Sequence, residues 1–134
     1  DKNLNALIDL SLAPGVPVMI QAFVKEVAQG DRRVILIDGE PVGVLNRVAG
    51  PTDHRCNMHV GARADWVPLS DVDRSVCAVI GPFLKRHGMF FTGIDIIGDR
   101  LTEINVTSPT GVEEIKAAGG PDLAAMTIQL LVDL

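Results

Sequence analysis

Residues 93–111 read GIDIIGDRLTEINVTSPTG. The β-branched residues on both sides of Gly98-Asp99-Arg100 predict a hairpin, MFFTGIDII going out and RLTEINV returning. With Gly98-Asp99-Arg100 as the loop, Ile97 faces Leu101 and Asp95 stands opposite Glu103. Side chains alternate along a strand, so Asp95, Glu103 and Asn105 share one face. Ile94, Ile96, Ile104 and Val106 then take the other face and the core. Two carboxylates directly opposite one another repel and weaken the pair. A divalent cation reverses that sign, and two carboxylates with an amide oxygen are the hard donors that Mg²⁺ takes. A solvated sheet face is the competing reading, and a one-residue change of register separates the acids. Asp99, at the tip, reads as a turn residue.

Upstream, RRVILID (32–38) and PVGVLNRV (41–48) read as two strands joined at Asp38-Gly39, a strong hairpin signal. VPVMIQAFV (16–24) is apolar and β-branched and reads as a buried strand. Leu4, Leu7, Ile8 and Leu12 fall at helical spacing, predicting a short helix over 3–12. Residues 49–66 have no clear period and read as a long loop, a feature that in compact domains is usually functional or mobile. A helix starts at Ser70, with Asp73 three residues on in capping-box spacing, and ends at His87-Gly88. Two C-terminal helices, 112–118 and 123–134, flank Gly119-Gly120-Pro121. This order predicts an α+β domain with a largely antiparallel sheet, flanking helices on one side and a long loop.

The 134 residues suit one domain, and 47% apolar with 22% charged residues is ordinary globular composition. A net charge of −5 without a basic run, and only 4% aromatics, argue against a nucleic-acid partner. No apolar run approaches the ~20 residues that span a membrane, and no signal peptide is expected in DKNLNALIDL. Cys56 and Cys77 form no CxxC, so a reducing cytoplasm is the expected compartment. His54, Cys56 and His59 invite a zinc reading, but no fourth partner or standard spacing supports it.

GIDIIGDRLTEINVTSPTG is similar to the C-terminal signature of the prokaryotic glutathione synthetases, which are ATP-grasp ligases. VMIQAFVKEVAQGDRRVILIDGEPV resembles the nucleotide-side strands of that family in the same order; HRCN resembles the start of its lid, and GVEEI also fits. The resemblance implies an ATP-grasp C-terminal subdomain over 1–134, with a lid loop at about 49–66. The implied reaction joins γ-glutamylcysteine to glycine: ATP phosphorylates the dipeptide carboxylate, and the glycine amine attacks the acyl phosphate. The implied cofactors are ATP and Mg²⁺, with Mn²⁺ as a substitute.

By resemblance, Asp95, Glu103 and Asn105 hold Mg²⁺ at the ATP phosphates. Gln21, Ala22, Phe23 and Val24 line the adenine, and Asp31 is an acid near the ribose. Arg33 and Arg47 face phosphate or substrate; both lie in apolar strand patterns, where an unpaired charge is costly. Arg32 reads as their solvated neighbour. Arg55 and Asn57 contact γ-glutamylcysteine when the lid closes. Val106, Thr107, Ser108 and Pro109 border the acceptor amino acid, although Thr107 and Ser108 also suit a helix cap.

The family lid is glycine-rich, whereas MHVGARAD carries only Gly61. The phosphate-binding lysine, the glycine-rich loop and the substrate-binding domain that precede this part in the family have no counterpart here. The sequence therefore reads as a piece of a longer, homo-oligomeric enzyme, inactive by itself. A related carboxylate–amine ligase with another acceptor, and a noncatalytic nucleotide- or protein-binding module, are the alternatives.

Overall fold

The computed structural model describes residues 3–49 and 63–133. Five strands form one antiparallel sheet: β1 (Asp31–Ile37), β2 (Glu40–Val48), β3 (Arg63–Trp66), β4 (Phe91–Ile97) and β5 (Arg100–Asn105). Their spatial order is β3-β2-β1-β4-β5. Four α-helices accompany them: α1 (Leu4–Leu12), α2 (Asp71–Arg86), α3 (Val112–Ala117) and α4 (Leu123–Val132). The expected α+β class is the class observed.

β1 is the centre of the sheet because Val34, Ile35, Leu36 and Ile37 are all buried, an apolar run that needs cover on both faces. Val34, Leu36, Val44, Ile94 and Ile96 pack against Cys77 and Leu84 of α2 on one face. Ile35 and Leu45 pack against Ile115 of α3 and Leu123 of α4 on the other. Helices thus cover both faces, which corrects the one-sided arrangement expected above. The β1–β2 turn has φ 49° at Asp38 and 82° at Gly39, as a two-residue hairpin with matching twist requires. This turn rests on α2 so closely that a Cβ at Gly81 would collide with the Gly39 carbonyl.

α2 opens as expected. Ser70 Oγ accepts from Asp73 N at 3.2 Å, and Asp73 Oδ2 accepts from Ser70 N at 2.8 Å. Arg32 is not a solvated neighbour: its Nε donates to Asp73 Oδ1 at 2.9 Å, and its Nη2 donates to Pro68 O at 3.0 Å. An arginine one residue out of phase with Arg33 must point to the opposite face, where the α2 cap supplies a carboxylate.

Three further expectations are corrected. Residues 16–24 form no strand: both sides of β1 are taken, by β2 and β4, and Met19 (80% exposed) and Phe23 (69%) face outward. Within the expected 49–66 loop, Arg63–Trp66 forms edge strand β3, pairing Leu45 with Trp66. On and just after β5, Ile104 (39%) and Val106 (45%) are exposed instead of joining the core, because the strand lies at the sheet edge.

Candidate functional site

The quoted hairpin turns at Gly98-Asp99 alone, since Ile97 pairs with Arg100 and Ile96 with Leu101. That register by itself would move Glu103 off Asp95. A bulge between Asp95 and Ile96 takes up Thr102, and Asp95 does pair with Glu103. Thr102 fixes the bulge by donating from Oγ1 to Asp95 O at 3.1 Å. The expected opposition of acids is present, reached by a shorter turn and one extra residue.

Alternation along β1 puts Asp31, Arg33 and Ile35 on the α3–α4 face of the sheet. The register then aligns Leu45, Arg33, Asp95 and Glu103 across β2, β1, β4 and β5. Arg33 grips Asp95 with two bonds, Nε to Oδ1 and Nη2 to Oδ2 at 2.8 Å. Its Nη1 donates to Thr110 O at 3.2 Å, tying the turn after β5 to the site. Arg47 Nη2 bonds Asp31 Oδ2 and lies 3.0 Å from Asp95 Oδ2. With the Asn105 amide oriented to satisfy its neighbours, its nitrogen donates to Glu103 Oε1 at 3.0 Å and its oxygen accepts from Arg33 Nη2 at 3.1 Å.

Gly93 makes this crowding possible. A Cβ there would stand 2.6 Å from Pro109 Cβ and 3.1 Å from Arg33 Cδ. Pro109 is buried against β4, while Val106, Thr107 and Ser108 are exposed on the same turn. Neither Thr107 nor Ser108 caps α3, whose N-cap is Gly111. The alternative role of these two hydroxyls as caps is therefore removed.

The charges are strongly coupled. Burial pushes the Asp95 carboxyl up, but Arg33 and Arg47 outweigh burial and hold it below its ordinary range. Burial also disfavours the Arg33 charge, and the Asp95 contact more than compensates. Asp31 goes the other way: burial, reinforced by the Asp95 charge, pushes it up to about 6 despite Arg47. Two buried atoms here lack a hydrogen-bond partner, Asp31 Oδ1 and Arg47 Nε. Buried polar atoms are rarely left so, and at a cleft they mark capacity for a further interaction.

The donor chemistry fits a hard divalent cation. Asp95 and Glu103 supply opposed carboxylates, and Asn105 supplies an amide oxygen beside them. Among the described residues no three His, Cys, Asp or Glu side chains form such a group, so the amide and a ligand's own oxygens would complete the shell. A cation at Asp95 would share that carboxylate with two arginines.

Gln21, Ala22, Phe23 and Val24 line a cavity of about 550 Å³ together with Val27, Ile97, Arg100, Leu101 and Thr102. The cavity thus reaches the β4–β5 turn, whose far end carries the acids. Val27, Ile97 and Arg100 were not singled out from sequence as lining residues; Val27 follows the segment directly, and Ile97 and Arg100 stand side by side where β4 pairs with β5. Arg55 and Asn57, with His54, Cys56 and His59, lie outside the described residues. No helix among the described residues is long and apolar enough to cross a membrane.

This sheet, with its acidic hairpin, has the architecture of an ATP-grasp ligase. A structure of the ATP-grasp ligase PsnB complexed with minimal precursor matches it at a TM-score of 0.66 and 23% identity, over 99% of this chain and 43% of that one. The chain belongs to the prokaryotic glutathione synthetase ATP-grasp domain family, whose model matches residues 1–120. It is 47% identical to the glutathione synthetase of Synechococcus elongatus, over 98% of this chain and 41% of that protein. It is 50% identical to that of Mesorhizobium japonicum, over 94% of this chain and 41% of that protein. The chain therefore spans about two fifths of the length of these relatives.

Proposed function

We propose that this chain is the metal- and nucleotide-holding part of a ligase that joins γ-glutamylcysteine to glycine at the expense of ATP. The observation that carries the reading is the line Arg33, Asp95, Glu103 across three strands, with Asn105 and Arg47 beside it. Opposed acids weaken a strand pair unless positive charge offsets them, and here they stand beside an amide on the edge strand.

In this reading Asp95, Glu103 and Asn105 hold Mg²⁺, or Mn²⁺ in its place. When bound, the cation would offset charge on the transferring phosphoryl group. Arg33 and Arg47 orient anionic oxygens, because a planar guanidinium grips phosphate or carboxylate through parallel N–H groups. Arg33 also steadies the acceptor turn through Thr110, leaving the exposed Thr107 and Ser108 to meet glycine beside Val106 and Pro109. Backbone groups of Gln21, Ala22, Phe23 and Val24 read the adenine edge in the cavity they line. Asp31 does not line that cavity; it pairs with Arg47 in the arginine network. Arg55 and Asn57 take the γ-glutamylcysteine carboxylate and exclude water from the reacting group. A PsnB structure with Mg and ADP bound shares the fold, at a TM-score of 0.53 and 15% identity. The remaining parts of a homo-oligomeric, cytoplasmic enzyme supply the other wall of the site.

The test is ADP release by the intact protein with Mg-ATP, adding γ-glutamylcysteine and glycine separately and together. ADP that appears only with both establishes the reading. ADP with a different acceptor moves the activity to a sister ligase, and no ADP under any condition points to a binding module.

A further inference from the structure

Arg47 is held by two carboxylates at once. It faces Asp31 in the β1–β2 ladder, and it also reaches past β1 to Asp95 on β4. Asp95 carries Arg33 on both oxygens as well, so Arg47 is its second guanidinium. A cation drawn to Asp95 must compete with Arg47 for Oδ2. If Asp95 were its only anchor, Arg47 would oppose that cation, because releasing it would leave a buried guanidinium unpaired.

The two unpartnered atoms show where Arg47 can go. Arg47 Nε is a donor without an acceptor, and Asp31 Oδ1 is an acceptor without a donor. They belong to the two partners of one ion pair that is already joined through Nη2 and Oδ2. A rotation that brought Nε onto Oδ1 would turn a single contact into a side-on pair with two parallel bonds. It would satisfy both orphans and draw the guanidinium toward Asp31, loosening its hold on Asp95.

We propose that Asp31 is a positioning residue that takes Arg47 from Asp95, freeing that carboxylate for a divalent cation while keeping the guanidinium on the site's face. This inference rests on the metal reading above. It gives Asp31 a role exerted through Arg47, distinct from a contact with the ribose.

The test is Mn²⁺ binding to the intact protein with saturating ADP, followed by the electron paramagnetic resonance of free Mn²⁺. Asp31→Asn is expected to weaken Mn²⁺ binding about tenfold, and by less than about twofold when Arg47→Met is already present. Asp31→Glu, which keeps a carboxylate, recovers most of the affinity, and Asp31→Ser replaces the Asn variant if that one does not fold. ADP affinity in EDTA is expected to stay unchanged. Equal weakening in both Arg47 backgrounds would mean that Asp31 acts only as a nearby charge, and would overturn the proposal. Loss of ADP binding in EDTA with no dependence on Arg47 would place Asp31 on the nucleotide and also overturn it. Glu103→Gln separates the two failures. If it leaves Mn²⁺ binding intact, the metal reading falls and takes the inference with it. If it abolishes binding while Asp31→Asn does nothing, only the inference falls.

Discussion

Arg32 and Arg33 are consecutive on β1, and each pairs with an aspartate, yet the two pairs differ in kind. Arg32 and Asp73 form a closed unit: the fully buried carboxylate accepts from Arg32 and from Ser70 N, and the guanidinium also reaches Pro68 O. Burial would push Asp73 up, but the Arg32 and Ser70 contacts hold it below its ordinary value. On the other face, Arg33 and Asp95 belong to an open network. Asp95 is shared with Arg47, Arg47 with Asp31, and two buried atoms lack partners while an exposed Glu103 opposes Asp95. A saturated pair holds elements together; an unsaturated one keeps capacity for a ligand.

The largest effect expected is on the open face. Glu103→Gln in the intact protein should reduce Mg²⁺-dependent turnover by about 10²-fold or more. The fold should survive, because Glu103 is exposed. Turnover at the level of the unaltered protein would break the comparison, making the acids a solvated sheet face.

On the closed face the effect should be on stability. Asp73→Asn removes an ion pair and weakens a helix cap together, a loss of about 2–4 kcal/mol. The fall in the urea midpoint reads this, and ADP release per folded molecule should hardly change. A large loss of turnover at full folding would mean that the closed pair serves the site after all.

Gly93→Ala sharpens the contrast from beneath the open network. The added methyl meets Pro109 and the Arg33 stem, so overpacking of about 1–3 kcal/mol is expected. A rise in KM for glycine should accompany it if, as proposed, the turn that Pro109 seats borders the acceptor. Unchanged glycine kinetics would detach that turn from the acceptor.

How much of this was legible in the sequence follows the same division. Asp95 opposite Glu103 was readable because period-two alternation and a glycine turn survive without tertiary information. The turn length was not, since a bulge at Thr102 compensated for a shorter loop and only the ladder reveals it. The pairing of Arg33 with Asp95 spans β1 and β4, far apart in sequence, so no local pattern encodes it. Arg32 was misread for the same reason: its partner lies on a helix packed against the opposite face. Residues 16–24 misled by composition, because an apolar run signals a need for cover and not a strand partner.

The smallest effect expected is on the pH dependence of stability, where Asp31 has the opposite sign to Asp73 and Asp95. Asp31 has its carboxyl raised from 3.8 to about 6, so the folded protein holds this proton more tightly than the unfolded chain does. The stability it contributes is full below about pH 4 and is lost as pH rises through about 6. Asp73 and Asp95 are lowered, so their contributions are present above about pH 4 and disappear as pH falls through their folded values. Asp31→Asn should therefore flatten the fall in stability between about pH 4 and pH 6, leaving the acid side of the curve in place. Asp73→Asn should do the reverse, trimming the acid side and sparing that window. Urea midpoints at half-unit pH steps read both. If Asp31→Asn leaves the slope between pH 4 and 6 as it was, Asp31 is saturated by Arg47 like its counterpart Asp73, and the open network closes on itself.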